Sequence, residues 1–325
     1  MNKLGFPSVA PVESKLLPLT IISLEEWCMV KLTGADTFSY IQKQITSDIT
    51  QLKFHQYYQT AHCNAKGKMW SNLILFHYHG GLAWIIRRSM QSIQIEALKK
   101  YAIFSKIIIS TSSECLIGIA GYQARVILSQ FVKVPSKESP VIHSKNMVLL
   151  WFNHPSERFI IISNKIMIKK LQSQISPYCQ INNSRQWISL DIEAGNPIID
   201  KMNCCKFIPQ AANMNLIGDI NFNKGCYLGQ EIISCAKFRG INKYALYWLI
   251  GKLNNKIPNT TCINLIQLNS NKNYTYSAHI LAICRMRNNE VWIQAILTKD
   301  LSYDSKFRLD GDDESNFYIR PISYE

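Results

Sequence analysis

The sequence predicts an α+β protein that ends in a small β-barrel, and two patterns carry this prediction. Before Gly240, short apolar runs of strand length alternate with amphipathic helical segments and hairpins, an arrangement typical of layered sheets and helices. After Gly240, strand-length runs are separated by turns rich in Asn, Lys and Pro, at intervals typical of a small barrel. We therefore place the main boundary near 240–243, with domains at 1–240 and 241–325.

The first part of the chain begins irregularly and then follows the periodicities of strands and helices. Prolines interrupt residues 1–26, so no regular element is predicted there. Gly34 to Asp36 form a turn before a helix, and the polar residues Asn64 to Gly67 join two strands as a hairpin. The predicted strands lie at 27–33, 56–63, 69–77 and 82–87, and the predicted helices at 37–45 and 90–101.

The following residues repeat this mixture of strands and helices, which predicts two lobes within 1–240, with the chain passing from one lobe to the other near 110–185. Beyond the boundary, the apolar runs have the length of strands only. The predicted strands lie at 107–110, 115–120, 148–152 and 159–162, the helices at 121–131 and 166–175, and the barrel strands at 244–251, 262–268, 277–284 and 291–297.

Length and composition narrow the class of protein. With 325 residues, of which 47% are hydrophobic, the chain is long enough for large cores and too apolar for a disordered protein. No apolar run approaches the roughly 18 residues of a membrane span. Pro7, Pro11 and Pro18 interrupt the N-terminal residues, so no signal-peptide core forms there. These observations predict a cytoplasmic protein without a membrane contact.

The ten cysteines are irregularly spaced and include no CxxC pair, which indicates reduced thiols rather than a disulfide framework. A metal site built from Cys204, Cys205, Cys226 and Cys235 is disfavoured, because adjacent cysteines rarely chelate one ion well. We therefore expect no metal site.

The charge distribution favours an anionic partner. The formal net charge is +14, from 36 basic and 22 acidic side chains. Residues 201–299 carry twelve basic and three acidic side chains, whereas residues 300–325 carry three basic and seven acidic ones. A coding bias toward Lys, Asn and Ile would raise the net charge without any partner, but it would not concentrate the charge in one region. Folate polyglutamate or RNA phosphates are anions of the required kind.

One eight-residue segment, Lys224-Gly225-Cys226-Tyr227-Leu228-Gly229-Gln230-Glu231, combines two glycines with a thiol between charged neighbours. Glycines at this spacing indicate a tight turn, or a close approach by a ligand or another backbone. A lysine near a cysteine favours the thiolate, so Cys226 is the candidate reactive thiol. The alternative is a strand–turn–helix junction with an ordinary buried cysteine. Glu231 would then be a carboxylate at the favourable end of a helix.

This segment resembles the signature of the YgfZ family, folate-binding relatives of the aminomethyltransferase of glycine cleavage. Further segments resemble the same family in the same order along the chain. They are 30–36 with 40–48, His62-Cys63-Asn64-Ala65-Lys66-Gly67-Lys68-Met69, 193–200 with 207–211, and 236–240. The resemblance covers residues 27 to 239, and it implies an aminomethyltransferase-like fold for residues 1–240.

The resemblance also implies a tetrahydrofolate site and a role in maintaining iron–sulfur enzymes. Through those enzymes it implies an influence on tRNA modification, including methylthiolation of an adenosine, and a link to the regulation of replication initiation. The implied partners are folate, with or without a polyglutamate tail, iron–sulfur enzymes or their assembly factors, and tRNA, either indirectly or through weak electrostatic contact. Trp27 and Trp187 match tryptophans implicated in folate contact, and a flat pterin needs such surfaces. The further pocket candidates are Lys224, Gly225, Tyr227, Gly229, Gln230, Glu231 and Arg239, and the candidate basic rim is Lys206, Lys224, Lys237, Arg239 and Lys243.

One departure from the aminomethyltransferases bears on catalysis. Their hairpin leads to an acidic residue, whereas here Lys66 and Lys68 flank Gly67 and no carboxylate follows. Acid–base work at this position needs a titratable carboxylate, so aminomethyl transfer is disfavoured, and an anion-binding turn suits the lysines better. His77 and His79 would share one face of a strand, and we interpret them as structural.

Two alternatives to a folate-binding accessory protein remain open from the sequence. One is a folate-dependent one-carbon transferase or demethylase, which a carboxylate near the pterin would favour. The other is an RNA-binding module without a cofactor, which a basic stripe with exposed aromatic side chains would favour.

Overall fold

The structure is a computed structural model, and it describes residues 6–218, 220–253, 265–268, 274–276 and 279–324. Within these ranges the chain forms three β-sheets with helices packed on two of them. The helices are α1 (Thr37–Gln42), α2 (Gln91–Lys100), α3 (Ala124–Ser129), α4 (Lys165–Ile175), α5 (Ser184–Glu193) and α6 (Gln230–Phe238). The strands are β1 (Thr20–Ser23), β2 (Trp27–Thr33), β3 (Tyr57–Cys63), β4 (Met69–Tyr78), β5 (Gly81–Arg87), β6 (Ile108–Thr111), β7 (Cys115–Ala120), β8 (Val141–Ser144), β9 (Met147–Phe152), β10 (Arg158–Ser163), β11 (Gln180–Asn182), β12 (Tyr244–Lys252), β13 (Leu265–Leu268), β14 (Tyr274–Tyr276), β15 (His279–Arg285), β16 (Val291–Thr298), β17 (Lys306–Leu309) and β18 (Asp312–Arg320).

The first sheet has the order β3-β4-β5-β2-β6, and all its pairs are antiparallel. Its strands were predicted within a few residues, since each is a clear apolar run. α1 and α2 cover one face, where Tyr40 and Leu98 pack with Val30 and Trp84. The opposite face is apolar as well and meets the second sheet.

The second sheet has the order β11-β1-β7-β10-β9-β8. β1 lies in the segment predicted to be irregular, and it pairs parallel to β11 and antiparallel to β7. The two neighbouring strands, β7 and β11, supply the hydrogen bonds of β1, which cannot be predicted from the local sequence. One face packs on α3 and α4, and the other shares a core with the first sheet in which Ile22, Met29 and Leu150 meet.

The third sheet has the order β14-β13-β17-β18-β12-β16-β15 and is antiparallel throughout. Residues 262–264, 277 and 278 of two predicted strands lie outside the described residues. β17 and β18 were not predicted. This sheet packs against the N-terminal part, since Leu246 and Ile296 share a core with Phe207 and Ile233. In the described ranges, no helix has both the length and the apolar character needed to cross a membrane.

Candidate functional site

Trp27 and Trp187 line the same cavity, although 160 positions separate them in the sequence. Trp27 is the first residue of β2, as predicted. Trp187 lies in the first half of α5. Asn183 caps this helix, because its side chain accepts a hydrogen bond from the Arg185 backbone N–H at 3.1 Å.

Gly118 makes room for the Trp187 indole. A Cβ at this position of β7 would lie 2.5 Å from Trp187 Cε3, closer than atoms can approach. Any larger residue at position 118 would therefore displace the indole. The sequence contained this signal as a lone glycine inside an apolar strand, which often marks a close approach.

Each indole lies against a buried arginine. The Arg87 guanidinium lies 4.4 Å from the Trp27 ring centroid, and the Arg158 guanidinium lies 4.5 Å from that of Trp187. At these distances the cation is attracted by the ring face. Both arginines also line the cavity. The side wall of the candidate site is therefore aromatic and cationic together.

Carboxylates hold each arginine through one side of its guanidinium. Arg87 Nη2 donates to Glu26 at 2.5 Å and to Asp200 at 2.9 Å. Arg158 Nη2 donates to Asp191 at 2.8 Å. The other terminal nitrogen, Nη1, is buried in both residues and has no hydrogen-bond partner among the described residues. Two unmatched NH2 groups, one from each arginine, thus remain beside the two indoles.

The cavity between the tryptophans is small, about 50 Å³, which is room for a few water molecules. A second cavity of about 270 Å³ adjoins it, and the two share Gln59, Phe152 and Asn196. Trp151 also lines this outer cavity. Small-molecule sites usually measure about 300–1,000 Å³, so neither of these two cavities reaches that size alone, whereas together they lie at its lower end.

Sequence reasoning missed the arginines and Asp191. Arg87 ends one buried strand and Arg158 begins another, and Asp191 stands in the apolar run that follows Trp187. A charge next to a fully buried run has to be paired. This was the available signal, but the carboxylate partners come from three separate segments of the chain and could not be matched from the sequence.

The segment from Lys224 to Glu231 lies elsewhere, and none of its residues lines either cavity. This differs from the predicted shared pocket. Gly229 precedes α6 with φ +85°, and a Cβ there would lie 2.5 Å from Asn64 O. A Cβ at Gly67 would lie 2.9 Å from Ile232 Cβ. The close approach that the glycines indicated is therefore made by another backbone, the β3–β4 hairpin turn.

Lys224 turns inward instead of toward Cys226 or a ligand. Its Nζ donates to the backbone carbonyls of Gln42, Ile45 and Ser47 at 2.6, 2.9 and 2.7 Å. Burial lowers the pKa of Lys224 to about 8, against a smaller opposing effect of Asp48. The ammonium form still dominates at neutral pH, and its three donors match three acceptors. Lys224 thus holds the chain after α1, which corrects its assignment as a pocket or rim residue.

The other residues of this segment divide into exposed and buried ones. Cys226 is exposed and is therefore not the ordinary buried cysteine of the alternative interpretation, but it lies at the edge of neither cavity. Tyr227 is buried, which raises its pKa. Gln230 Nε2 donates to the Lys224 carbonyl at 3.5 Å, and Glu231 is an exposed acidic residue in the first turn of α6. The geometry of the last two fits a structural role at a helix start.

Comparison with known sequences places these features in a family. A family model described as "YgfZ, beta-barrel domain" matches residues 242–313. The "tRNA-modifying protein YgfZ" of Sodalis glossinidius is 43% identical over 99% of this chain and 98% of its own length. A protein of the same name from Shigella dysenteriae is 43% identical over 98% and 97%. This chain belongs to the YgfZ family.

The fold expected for a YgfZ protein is confirmed by a solved structure as well. The glycine cleavage system aminomethyltransferase T from Bartonella henselae superposes with a TM-score of 0.71 at 10% identity, over 96% of this chain and 87% of that one. At this identity the likeness concerns the fold alone. The predicted α+β architecture and the C-terminal barrel are both confirmed.

The β3–β4 hairpin of this YgfZ protein has a rigid turn. Asn64 Oδ1 accepts hydrogen bonds from the backbone N–H groups of Lys66 and Lys68, each at 3.0 Å.

The prediction that His77 and His79 share one strand face is wrong, because β4 ends at Tyr78 and His79 follows with φ +44°. The remaining predicted rim residues line neither cavity. They are Lys206, Lys237, Arg239 and Lys243, and all four are exposed.

Proposed function

We propose that this chain binds tetrahydrofolate or a derivative at the cavity of Trp27 and Trp187 and thereby supports tRNA modification. The observation that carries the proposal is the pair of buried, unmatched Nη1 groups of Arg87 and Arg158 beside the two indoles. An unmatched buried donor costs roughly 1–3 kcal/mol, and a ligand carbonyl or carboxylate removes that cost. Relatives named tRNA-modifying proteins, and a fold shared with an aminomethyltransferase, support the same proposal.

The side chains present fit the parts of a folate. The indoles offer flat apolar surfaces to a pterin, and the arginines offer donors to its oxygen and nitrogen acceptors. The outer cavity has room for the aryl spacer. Among the described residues, no lysine or arginine lines it, so we expect the affinity for a polyglutamate tail to depend only weakly on salt, contrary to a basic rim. Bound folate would supply a one-carbon unit or a sensing signal.

The finer function that the family resemblance implies is support of iron–sulfur enzymes. We propose that folate binding and the exposed Cys226 serve this role, with iron–sulfur enzymes or their assembly factors as partners. Methylthiolation of an adenosine in tRNA would then depend on this chain indirectly. A link to the regulation of replication initiation would be indirect in the same way. Measuring methylthiolated adenosine in tRNA from a null strain that carries wild-type or variant chain tests this part.

A second candidate function has one observation in its favour. Asp191 lines the inner cavity and is a carboxylate of the kind that a folate-dependent transferase needs. Its Oδ1 accepts hydrogen bonds from Arg158 at 2.8 Å and from Asn196 at 3.2 Å, so the carboxylate is already engaged in holding the arginine. We therefore prefer a binding role. An Asp191→Asn variant that binds folate normally but loses a measured one-carbon transfer would reverse this preference.

Titration with tetrahydrofolate under tryptophan fluorescence tests the folate site. We expect saturable quenching, and Trp27→Ala or Trp187→Ala should weaken binding by about 1–3 kcal/mol, the value of a lost stacking contact. Trp70→Ala, which removes an indole that does not line the cavity, serves as the control. Circular dichroism verifies that each variant is folded. Equal affinity in folded wild-type and Trp187→Ala protein would overturn the proposal.

A further inference from the structure

One surface outside the cavities combines exposed cations with exposed aromatic and apolar side chains. It runs from the last turn of α6 through the following loop to the first residue of β12, and we call it the α6 surface. Phe238 is 72% exposed there, which is unusual for a phenylalanine. The α6 surface consists of Lys237, Phe238, Arg239, Ile241, Lys243 and Tyr244, and all six are exposed.

Local contacts hold this surface in shape. The Lys237 ammonium lies 3.9 Å from the ring centroid of Phe222 and 5.6 Å from that of Phe238, and the two rings meet edge to face at 6.1 Å. The loop is fixed by Asn242, whose Nδ2 donates to the Tyr244 carbonyl at 2.9 Å and whose Oδ1 accepts from the Tyr244 N–H at 3.2 Å. The rings are therefore presented on an ordered support.

The charged side chains of the α6 surface are all positive. Between residues 220 and 253 the exposed charged side chains are four cations and one carboxylate, Glu231 at the opposite end of α6. Lys237, Arg239 and Lys243 form no ion pair with any described residue. One exposed carboxylate, Asp300, lies near Lys243, because it follows Lys299, whose backbone N–H donates to the Lys243 carbonyl at 2.8 Å. Without an ion pair, the three cations still attract an external anion.

We propose that the α6 surface binds unpaired nucleotides of an RNA. Phosphates are attracted by the three cations, and bases stack on the exposed faces of Phe238 and Tyr244. An acidic protein would use the charges but would leave the flat rings without a matching partner. Duplex RNA does not fit either, because its bases are already stacked on one another.

This site requires no folate, since it shares no residue with the two cavities. It rests on the proposed function only in the expectation that the RNA is a tRNA. It adds a direct contact, which the proposed indirect support of tRNA modification does not require.

Fluorescence anisotropy with a labelled 12-nucleotide single-stranded RNA and the corresponding duplex tests the proposal. We expect tighter binding of the single strand, with an affinity that falls as salt rises from 50 to 200 mM, since contacts to about three phosphates give a slope near −2 on logarithmic axes. Phe238→Ala should weaken binding by about 5- to 150-fold, the effect of losing one stacked base. The exposed position of Phe238 means that this change leaves no cavity in the core.

Matched variants distinguish binding at the α6 surface from unspecific attraction and from folate binding. Lys169→Ala with Lys170→Ala removes two exposed cations from α4, and RNA binding should change less than twofold. Lys237→Ala with Arg239→Ala should weaken RNA binding and flatten its salt dependence. Trp187→Ala should weaken folate binding and leave RNA binding unchanged, so that failure of one proposal is distinguishable from failure of the other.

Three outcomes would overturn the proposal. The first is equal affinity for single strand and duplex together with no effect of Phe238→Ala. The second is an equal loss in the α4 and α6 double variants, which would mean unspecific electrostatic attraction. The third is binding of an acidic protein through the α6 surface by a chain that binds no RNA.

Discussion

Two buried cations of this protein are matched to their surroundings in different ways. Lys224 is 7% exposed, and three carbonyls accept hydrogen bonds from its ammonium group. Arg158 is 1% exposed, but one terminal nitrogen has no partner among the described residues. Structural cations are usually satisfied completely, because each unmatched donor destabilises the fold. This difference supports a structural role for Lys224 and the proposed ligand-binding role for Arg158.

Cys226 remains the thiol that we propose to matter for function. Its side chain is exposed, whereas Cys63 and Cys284 are buried. We expect iodoacetamide to label Cys226 in the native protein ahead of most other cysteines, and Cys226→Ser to impair tRNA modification with little change in stability. Labelling sites are read by mass spectrometry. Full complementation of a null strain by Cys226→Ser, or labelling only after unfolding, would show that the thiol is dispensable.

His62 should make the fold sensitive to acid. It is fully buried, and neither ring nitrogen has a hydrogen-bond partner among the described residues. Burial lowers its pKa from 6.5 to about 3, so below pH 6.5 the unfolded chain takes up a proton that the folded chain does not. Stability is therefore lost as the pH falls, by about 2 kcal/mol between pH 7 and pH 5 from this residue.

The acid sensitivity can be assigned to His62 by substitution. His62→Phe keeps a ring of similar size without a titrating group, so its unfolding free energy in urea should fall less between pH 7 and pH 5 than that of the wild type. His55→Gln, at an exposed position, should behave like the wild type. Parallel pH profiles for wild type and His62→Phe would contradict the assignment.

The contact between the β3–β4 hairpin and α6 shows why the glycines of the segment before α6 are not equivalent. Gly229 has φ +85° and faces Asn64 O, whereas a Cβ at Gly225 would meet nothing within 4 Å. Gly229→Ala should therefore destabilise the protein by about 2–3 kcal/mol, through backbone strain and the displaced turn. Chemical denaturation measures the change. Gly225→Ala should have little effect. An equal loss of stability in both variants would mean that the close approach of Gly229 to the hairpin turn does not account for the destabilisation.

The three sheets depend on one another through shared cores. Phe207 and Ile233 from the N-terminal part pack with Leu246 and Ile296 of the third sheet. The division into domains at 1–240 and 241–325 stays a proposal, supported by the start of the third sheet at Tyr244. The shared core nevertheless makes independent folding of the two parts unfavourable, because separation would expose apolar surface on both.

We therefore expect the chain to unfold in one cooperative transition. Ile296→Ala should lower the stability by about 2–5 kcal/mol, the usual cost of a truncated buried side chain, and should shift the whole transition. Far-ultraviolet dichroism and tryptophan fluorescence, followed together, measure it. Tyr303→Ala, at an exposed position, is the control. Two separate transitions, of which only the later one responds to Ile296→Ala, would contradict the coupling.

Local patterns were sufficient for much of the architecture. The strands of the first sheet, α2, α4 and the barrel strands β12 and β16 follow from hydrophobic periodicity, which depends only on neighbouring residues. The order of the motifs from Trp27 to Arg239 was sufficient for the family, and with it for the fold. β1 was missed because its four residues are stabilised by two distant strands. β17 was missed because it has only four residues, and β18 because two of its buried positions carry the polar residues Asp312 and Ser315, which breaks the alternation.

The composition of the candidate site depended on contacts that no local pattern records. The family resemblance predicted a common site for Trp27 and Trp187, but the arginine beside each indole became visible only when the two facing sheets and α5 were assembled. For Lys224 and Gly229 the residue types indicated a special environment, while the direction of each group was decided by the hairpin and α1 packed against them. Hydrophobic periodicity depends on residues that are close in the sequence. The partner of a buried charge, and the atoms that approach a glycine, instead come from distant segments that the packing of the sheets brings within a few ångströms.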